Sequence, residues 1–264
     1  METGSDETEG LQNALGAARG TATGATKTGS FETKGLLFDM DGVLISSIGS
    51  VNRCWRQWAA MYDVPDAENF NVPHGQRAIE IVKMLRPDID TAEGLRVIEE
   101  LELADTADLQ VLPGVKALLN SLPSDRWAIV TSATHRLLLG RLEVAGLPVP
   151  SRIISADMVE RGKPDPEPYL RGAGLLGLKP ADCVVVEDAP SGVGAGRRAG
   201  CRVLGVLGTH AVSELTYATW IVPSLVDVQV TSEGGSLLVT LPETTVLGAD
   251  SAAEFSGKGL LAAP

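Results

Sequence analysis

The sequence predicts an α/β protein, a doubly wound parallel sheet with a helical domain inserted near its start. Three observations carry that expectation. Short apolar runs alternate with helical segments along most of the chain. The runs are continuously apolar, as strands of a parallel sheet buried on both faces must be. One interval of about sixty residues breaks the rhythm with helical periodicity alone.

In chain order, residues 1–33 are rich in Gly, Thr and Ala with almost no large apolar side chains, and read as a disordered tail. A first strand follows at Gly35–Phe38, inside a core segment spanning 34–50. Residues 51–112 form the helical insertion. Val51, Trp55, Trp58 and Tyr62 recur at helical spacing, as do Ile79, Val82 and Leu85, and then Leu95, Ile98 and Leu101. The core resumes over 113–227, with strands at Trp127–Val130, Arg152–Ile154, Cys183–Val186, Arg202–Val206 and Trp220–Val222. Helices fall between them at Gly114–Leu122, His135–Ala145, Pro166–Leu176 and Ser191–Ala199, which implies right-handed crossovers. Residues 228–247 read as a terminal β-hairpin around Ser-Glu-Gly-Gly, and 248–264 as a second disordered tail.

Composition bounds the partners. The chain has 264 residues, 44% hydrophobic and 21% charged, which is enough for a sizeable core. Lys plus Arg number 22 against 34 Asp plus Glu, for a net charge of −12. That sign repels nucleic-acid backbones and anionic lipid, so neither partner is expected. Cys54, Cys183 and Cys201 lack both disulfide and metal-ligand patterns and read as reduced thiols. The acidic opening METGSDETEG is no secretory or transit signal, and no apolar run reaches the ~20 residues of a membrane span. A soluble, cytoplasmic monomer is expected.

The chemistry gathers where strands stop. Asp39, Asp41 and Gly42 follow the first strand, and Thr131, Ser132 and Thr134 follow the second. Lys163 follows the third, and Glu187 and Asp188 close the fourth. Each cluster alone reads as a turn, a cap or a solvated loop. All four at carboxyl ends of strands, where open α/β sheets bind ligands, point to one shared site. Asp39 can attack phosphorus and carry the group as an aspartyl-phosphate. Several carboxylates facing a phosphate dianion need compensation, which Mg²⁺ on oxygen ligands and the Lys163 ammonium would give. Thr131 or Ser132 can hold phosphoryl oxygens, and Asp41 can protonate the leaving alcohol and then deprotonate water.

These motifs resemble those of the haloacid dehalogenase (HAD) superfamily of phosphohydrolases, over roughly residues 35–225. The resemblance implies a Rossmann-like HAD core with an inserted α-helical cap, and Mg²⁺ bound by Asp39, the Asp41 backbone carbonyl and Asp188, with Glu187 assisting through water. HGQRAIE, WAIVTSAT, ERGKPDPEPYLRGAGLLGL and VVVEDAPSGVGAGRRAGC are similar to the sugar- and polyol-phosphate phosphatases. The substrate implied is a small phosphorylated hexose, deoxyhexose, hexitol or glycerol. Ser46 stands where many relatives carry Asp, a departure expected to touch geometry or specificity. Ser47 and the cap cluster His74, Gly75, Gln76 and Arg77 are the candidate substrate-binding residues, with a plain helix start as the bland reading of the cluster.

The rivals are weaker. A dehalogenase needs neither an acid for an alcohol nor Mg²⁺, so Asp41 and Glu187-Asp188 argue against it. A β-phosphoglucomutase-like enzyme shares all four motifs but has His where this chain has Val51. Gly192, Gly194 and Gly196 lack dinucleotide-binding spacing. A non-catalytic sugar-phosphate binder would not need all four motifs.

Overall fold

The computed structural model describes residues 26–246, so residues 1–25 of the tail expected at 1–33, and all of the tail expected at 248–264, lie outside the described residues. In order, the first elements are β1 (Thr26–Thr33), β2 (Gly35–Phe38), β3 (Ile45–Ser46), α1 (Ile48–Met61), α2 (Ala78–Leu85), α3 (Thr91–Ala104) and β4 (Gln110–Val111). Then come α4 (Val115–Ser121), β5 (Trp127–Val130), α5 (His135–Ala145), β6 (Ile153–Ile154), α6 (Glu167–Leu175), β7 (Cys183–Glu187) and α7 (Pro190–Arg198). β8 (Arg202–Val206), β9 (Trp220–Val222), β10 (Gln229–Glu233) and β11 (Ser236–Val246) follow.

Six strands make the parallel sheet. β2 lies between β5 and β7, with β6 beyond β5, and with β8 and then β9 beyond β7. Successive side chains of β2 and β7 point to opposite faces, and each face has its own core. Leu36, Phe38, Val184 and Val186 pack with Leu118 of α4 and Leu138 and Leu142 of α5. Leu37 and Val185 pack with Tyr169 and Ala173 of α6 and with Val193 of α7. Burial on both faces is why these strands lack polar alternation.

The helices between β3 and β4 have a third core of their own. Cys54, Trp55, Trp58 and Ala59 of α1 meet Ile81 and Val82 of α2 and Ile98 of α3. The inward face of α2 therefore centres on Ile81 and Val82, while the expected Ile79 and Leu85 are only partly buried. Trp58 Nε1–H donates to the Gly94 carbonyl at 2.8 Å, so the indole's polar atom is satisfied inside. Asp90 caps α3 by accepting from the Ala92 and Glu93 amides.

Two expectations need correction. The interval 51–112 is not helix alone, because its exit, β4, pairs antiparallel with β3 through Ile45–Val111 and Ser46–Gln110. The two chain crossings into and out of the helices are thus stitched together, in a ribbon too short to leave a periodic signal. The disordered reading of 1–33 also fails for its last residues. β1 pairs antiparallel with β11 from Thr26–Thr245 to Thr33–Leu237, and β11 itself extends the sheet beyond β9. Local composition could not show this, because the stability of β1 comes from a distant partner. Its one large apolar side chain, Phe31, is buried and stacked on Trp220 with ring centroids 4.0 Å apart. β10 and β11 form a hairpin whose turn residues Gly234 and Gly235 both have positive φ.

Phe31→Ala is expected to lower the unfolding free energy by about 3 kcal/mol, the low end for a buried phenylalanine. Denaturant unfolding measures it, and no loss of stability would mean that β1 adds nothing to the fold.

Candidate active site

The main chain stops being a strand at Asp39, whose amide still donates to the Val186 carbonyl of β7 at 3.0 Å. That bond aligns the ends of two neighbouring strands, so Asp39 emerges beside Glu187 and Asp188. Lys163, from the loop between β6 and α6, closes the group: its Nζ donates to Asp39 Oδ1 at 2.5 Å and to Glu187 Oε1 at 2.7 Å. Asp39, Lys163, Glu187 and Asp188 are all buried. Burial weighs against the Lys163 ammonium, but the charges of Asp39 and Glu187 outweigh it and hold the lysine protonated. Burial pushes the Asp39 carboxyl up to about 7 despite Lys163. Asp188 is raised well above its usual range by burial and then by the charges of Glu187 and Asp39.

Glu187 is saturated. Besides Lys163, the Tyr169 hydroxyl donates to Oε1 at 2.7 Å, and the Asp188 and Ala189 amides donate to Oε2 at 3.0 and 3.1 Å. Those donors fill the four acceptor sites of a carboxylate. Asp188 is steadied by the Thr209 hydroxyl, which donates to Oδ2. Oxygens of Asp39, Glu187 and Asp188 lie within 4.8 Å of one another, a set of hard donors of the kind that holds Mg²⁺. Two glycines make the crowding possible. A Cβ on Gly42, where φ is +86°, would fall 2.0 Å from Asp188 Oδ2, and one on Gly192 would fall 1.6 Å from Glu187 Oε1. The residues present therefore fit a small divalent cation, with Asp39 and Asp188 the carboxylates least committed elsewhere.

Asp41 stands apart from that group. Its Oδ1 accepts from Ser47 Oγ and its Oδ2 from Arg141 Nη1, each at 2.7 Å. Ser47, expected at the substrate, is thus also a partner of Asp41. Thr131 Oγ1 accepts from the Ala133 amide at 3.0 Å, which leaves its own O–H to donate. Ser132 Oγ instead donates to the Gly75 carbonyl of the helical insertion at 2.7 Å. The N-cap of α5 is Thr134 and not either of these hydroxyls.

A cleft open to solvent lies over these groups. Its sheet side carries Asp39, Asp41, Thr131, Ser132 and Asp188, and its helical side Trp55, Ile98, Glu99 and Glu102. His74, Gly75, Gln76 and Ser47 line it as well. Arg77 does not. Its guanidinium turns away to the backbone carbonyls of Ala156, Val159 and Glu160, with Glu80 as its ion-pair partner. The arginine ties α2 to the loop after β6, a correction to its expected place at the substrate. The carbonyls of Ala156, Val159 and Glu160 lie outside any strand, and backbone acceptors there need partners that a guanidinium can supply.

Sequence reasoning missed several groups here. Tyr169 lies on the buried face of α6, and Thr209 follows the carboxyl end of β8, where a search of that strand end would have found it. Arg141 and Glu102 carried a signal too. Each sits four residues after an inward apolar side chain, Leu137 and Ile98, which marks a charged group on a buried helix face.

Comparison with known proteins agrees with this geometry. Residues 33–200 match the haloacid dehalogenase-like hydrolase family. The chain is 39% identical over 205 residues to hexitol phosphatase A of Escherichia coli, covering 76% of this chain and 95% of that protein. It is 34% identical over 196 residues to glycerol-1-phosphate phosphohydrolase 2 of Saccharomyces cerevisiae, covering 70% of this chain and 78% of that one. A solved hydrolase from Pseudomonas syringae superposes with a TM-score of 0.66 at 25% identity, over 73% of this chain and 94% of the other.

Gly192→Ala must push Glu187 off its four donors. The variant is expected to weaken Mg²⁺ binding by about 10- to 100-fold in calorimetric titration. Unchanged affinity would mean that the position of Glu187 does not matter to the cation.

Proposed function

The chain belongs to the haloacid dehalogenase-like hydrolase family as a phosphoric monoester hydrolase, and from that premise we propose that it releases phosphate from small sugar or polyol monophosphates through an aspartyl-phosphate on Asp39. The observation that carries the reading is the buried meeting of Asp39, Lys163, Glu187 and Asp188 under a cleft, with Asp41 on the same floor.

An Asp39 carboxylate oxygen attacks phosphorus as the bond from phosphorus to the leaving alcohol breaks. Asp41 gives that alcohol its proton, so no alkoxide is expelled. Asp41 then takes a proton from water as the water oxygen attacks phosphorus, and the bond from phosphorus to Asp39 breaks. Lys163 fixes one Asp39 oxygen and balances charge, while the Thr131 hydroxyl donates to a phosphoryl oxygen. Ser132 serves at the same point through the cap loop it holds. Mg²⁺, when bound by Asp39, Asp188 and the Asp41 carbonyl with Glu187 behind, supplies charge neutralisation at the phosphoryl group.

The substrate class rests on the relatives, named as phosphatases of hexitol and glycerol phosphates. The cleft supports it: Trp55 and Ile98 give an apolar wall for a carbon chain, the Gln76 amide can donate to a hydroxyl, and the Ser47 oxygen, whose O–H is given to Asp41, can accept from one. In this reading residues 34–50 and 113–227 are the catalytic core, and 51–112 are the cap that covers substrate. Action in the cytoplasm on diffusing substrates goes with it, and no described helix is long and apolar enough to cross a membrane.

Phosphate release from a panel of hexose, deoxyhexose, hexitol and glycerol phosphates tests the reading. Release is expected with Mg²⁺ and is expected to vanish with chelator. Asp39→Asn is expected to lower turnover by at least about 10³-fold, and substantial residual activity would sink the covalent route. Asp41→Asn is expected to cost about 100-fold on alkyl esters and much less on an aryl phosphate, whose leaving group needs no proton. Equal losses on both would remove Asp41 from the role of acid.

A further inference from the structure

Arg141 belongs to none of the four motifs, yet it touches the acid. It projects from the inner face of α5 among Leu137, Leu138 and Leu142 and is 3% exposed. Nη1 donates to Asp41 Oδ2 at 2.7 Å, and Nη2 donates to Glu102 Oε2 at 3.1 Å. Asp41 comes from the core and Glu102 from α3 of the helical insertion, so one guanidinium spans the boundary between the two. The donors of a guanidinium are fixed in one plane and so set the directions of both carboxylates relative to each other, whereas the donors of a lysine ammonium rotate about a flexible stem. Glu102 is itself buried and would be an uncompensated charge without this partner.

The consequence falls on Asp41. Ser47 holds one carboxylate oxygen and Arg141 the other, so the plane of the carboxyl group is fixed from both sides. Each oxygen keeps a second lone-pair direction, so both donors can stay while a proton is carried to the ester. Arg141 in turn is held by Glu102, which moves with the insertion. A second tie runs in parallel, since Glu99 of α3 accepts from the Thr134 hydroxyl and from Arg136 Nη1 of α5. Seating of α3 on α5 thus sets the guanidinium, and the guanidinium sets the acid.

We propose that Arg141 is a positioning residue for the Asp41 leaving-group acid, and that Glu102 makes that positioning depend on the seated cap. The inference rests on the reading of Asp41 as the acid. Its mark is a loss that follows the leaving group, since a poorly placed acid hurts an alkyl ester and spares an activated one.

Turnover and KM are measured with Mg²⁺ on sorbitol 6-phosphate and on p-nitrophenyl phosphate, for the full chain and for Asp41→Asn, Arg141→Met, Arg141→Lys and Glu102→Gln. Arg141→Met is expected to lower kcat on the hexitol ester by about 100-fold, with a several-fold smaller loss on the aryl ester. Glu102→Gln and Arg141→Lys are expected to show the same bias at smaller size, with KM changed only a few fold. Losses equal for both esters, or a change confined to KM, would overturn the proposal. Should Arg141→Met fail to fold, the ester bias of Arg141→Lys and Glu102→Gln decides alone. An Asp41→Asn variant without ester bias would instead overturn the reading of Asp41, and the proposal with it. Bias in Asp41→Asn but in none of the others sinks the Arg141 proposal alone.

Discussion

The demand that organises this molecule is electrostatic: three carboxylates, Asp39, Glu187 and Asp188, share a buried space with oxygens within 4.8 Å of one another. Unrelieved, such a group would protonate or open, because ionised carboxylates at that spacing repel strongly in a medium of low polarity. Lys163 offsets one charge, and the amides of Asp188 and Ala189 spread another over the backbone. What remains is an excess of negative charge over hard oxygen donors. Burial first, and then the charge of neighbouring carboxylates, pushes Asp39 and Asp188 upward, and the same dry, acid-rich setting makes the place attractive to a divalent cation. Affinity for metal and reluctance to ionise without it are two faces of one arrangement.

The fold meets that demand by keeping side chains out of the way. Parallel strands deliver the acids at adjacent ends, and Gly42 and Gly192 leave the room that neighbouring Cβ atoms would take from Asp188 and Glu187. The helical insertion contributes no carboxylate to this cluster. It reaches the site at one remove, through the Gly75 carbonyl on Ser132, Glu99 on Thr134 and Glu102 on Arg141. The carboxylate cluster and the helical side of the cleft are therefore built by different parts of the chain and meet at polar contacts.

Legibility in the sequence followed the range of the interaction. Asp39, Asp41, Lys163, Glu187 and Asp188 could be read because strand ends are local events, marked where an apolar run stops at a charged residue. The two-sided sheet was readable for the same reason, from the unbroken runs at Gly35–Phe38 and Cys183–Val186. For Arg141 and Glu102 the sequence marks only a charge on a buried helix face; that the two pair was hidden, since an ion pair between two helices needs both partners known at once. The guanidinium of Arg77 illustrates the reverse error: a polar residue beside a glycine suggested a ligand, while the deciding acceptors were loop carbonyls about eighty residues away. β1 escaped notice because a strand of threonines and glycine has no periodic apolar signal, and its partner is remote.

That remoteness has a bearing on how the chain is made. Phe31 pairs with Val239, about two hundred residues apart in sequence, so β1 is made long before its partner and waits for almost everything described here before it can pair. β9 waits likewise, since β11 covers its outer edge. A nascent chain stopped before Ser236 would hold a finished set of carboxylates and an open strand edge, the kind of surface that recruits other chains. Translation to the end of β11 is what covers the edge of β9, at a place far from the chemistry.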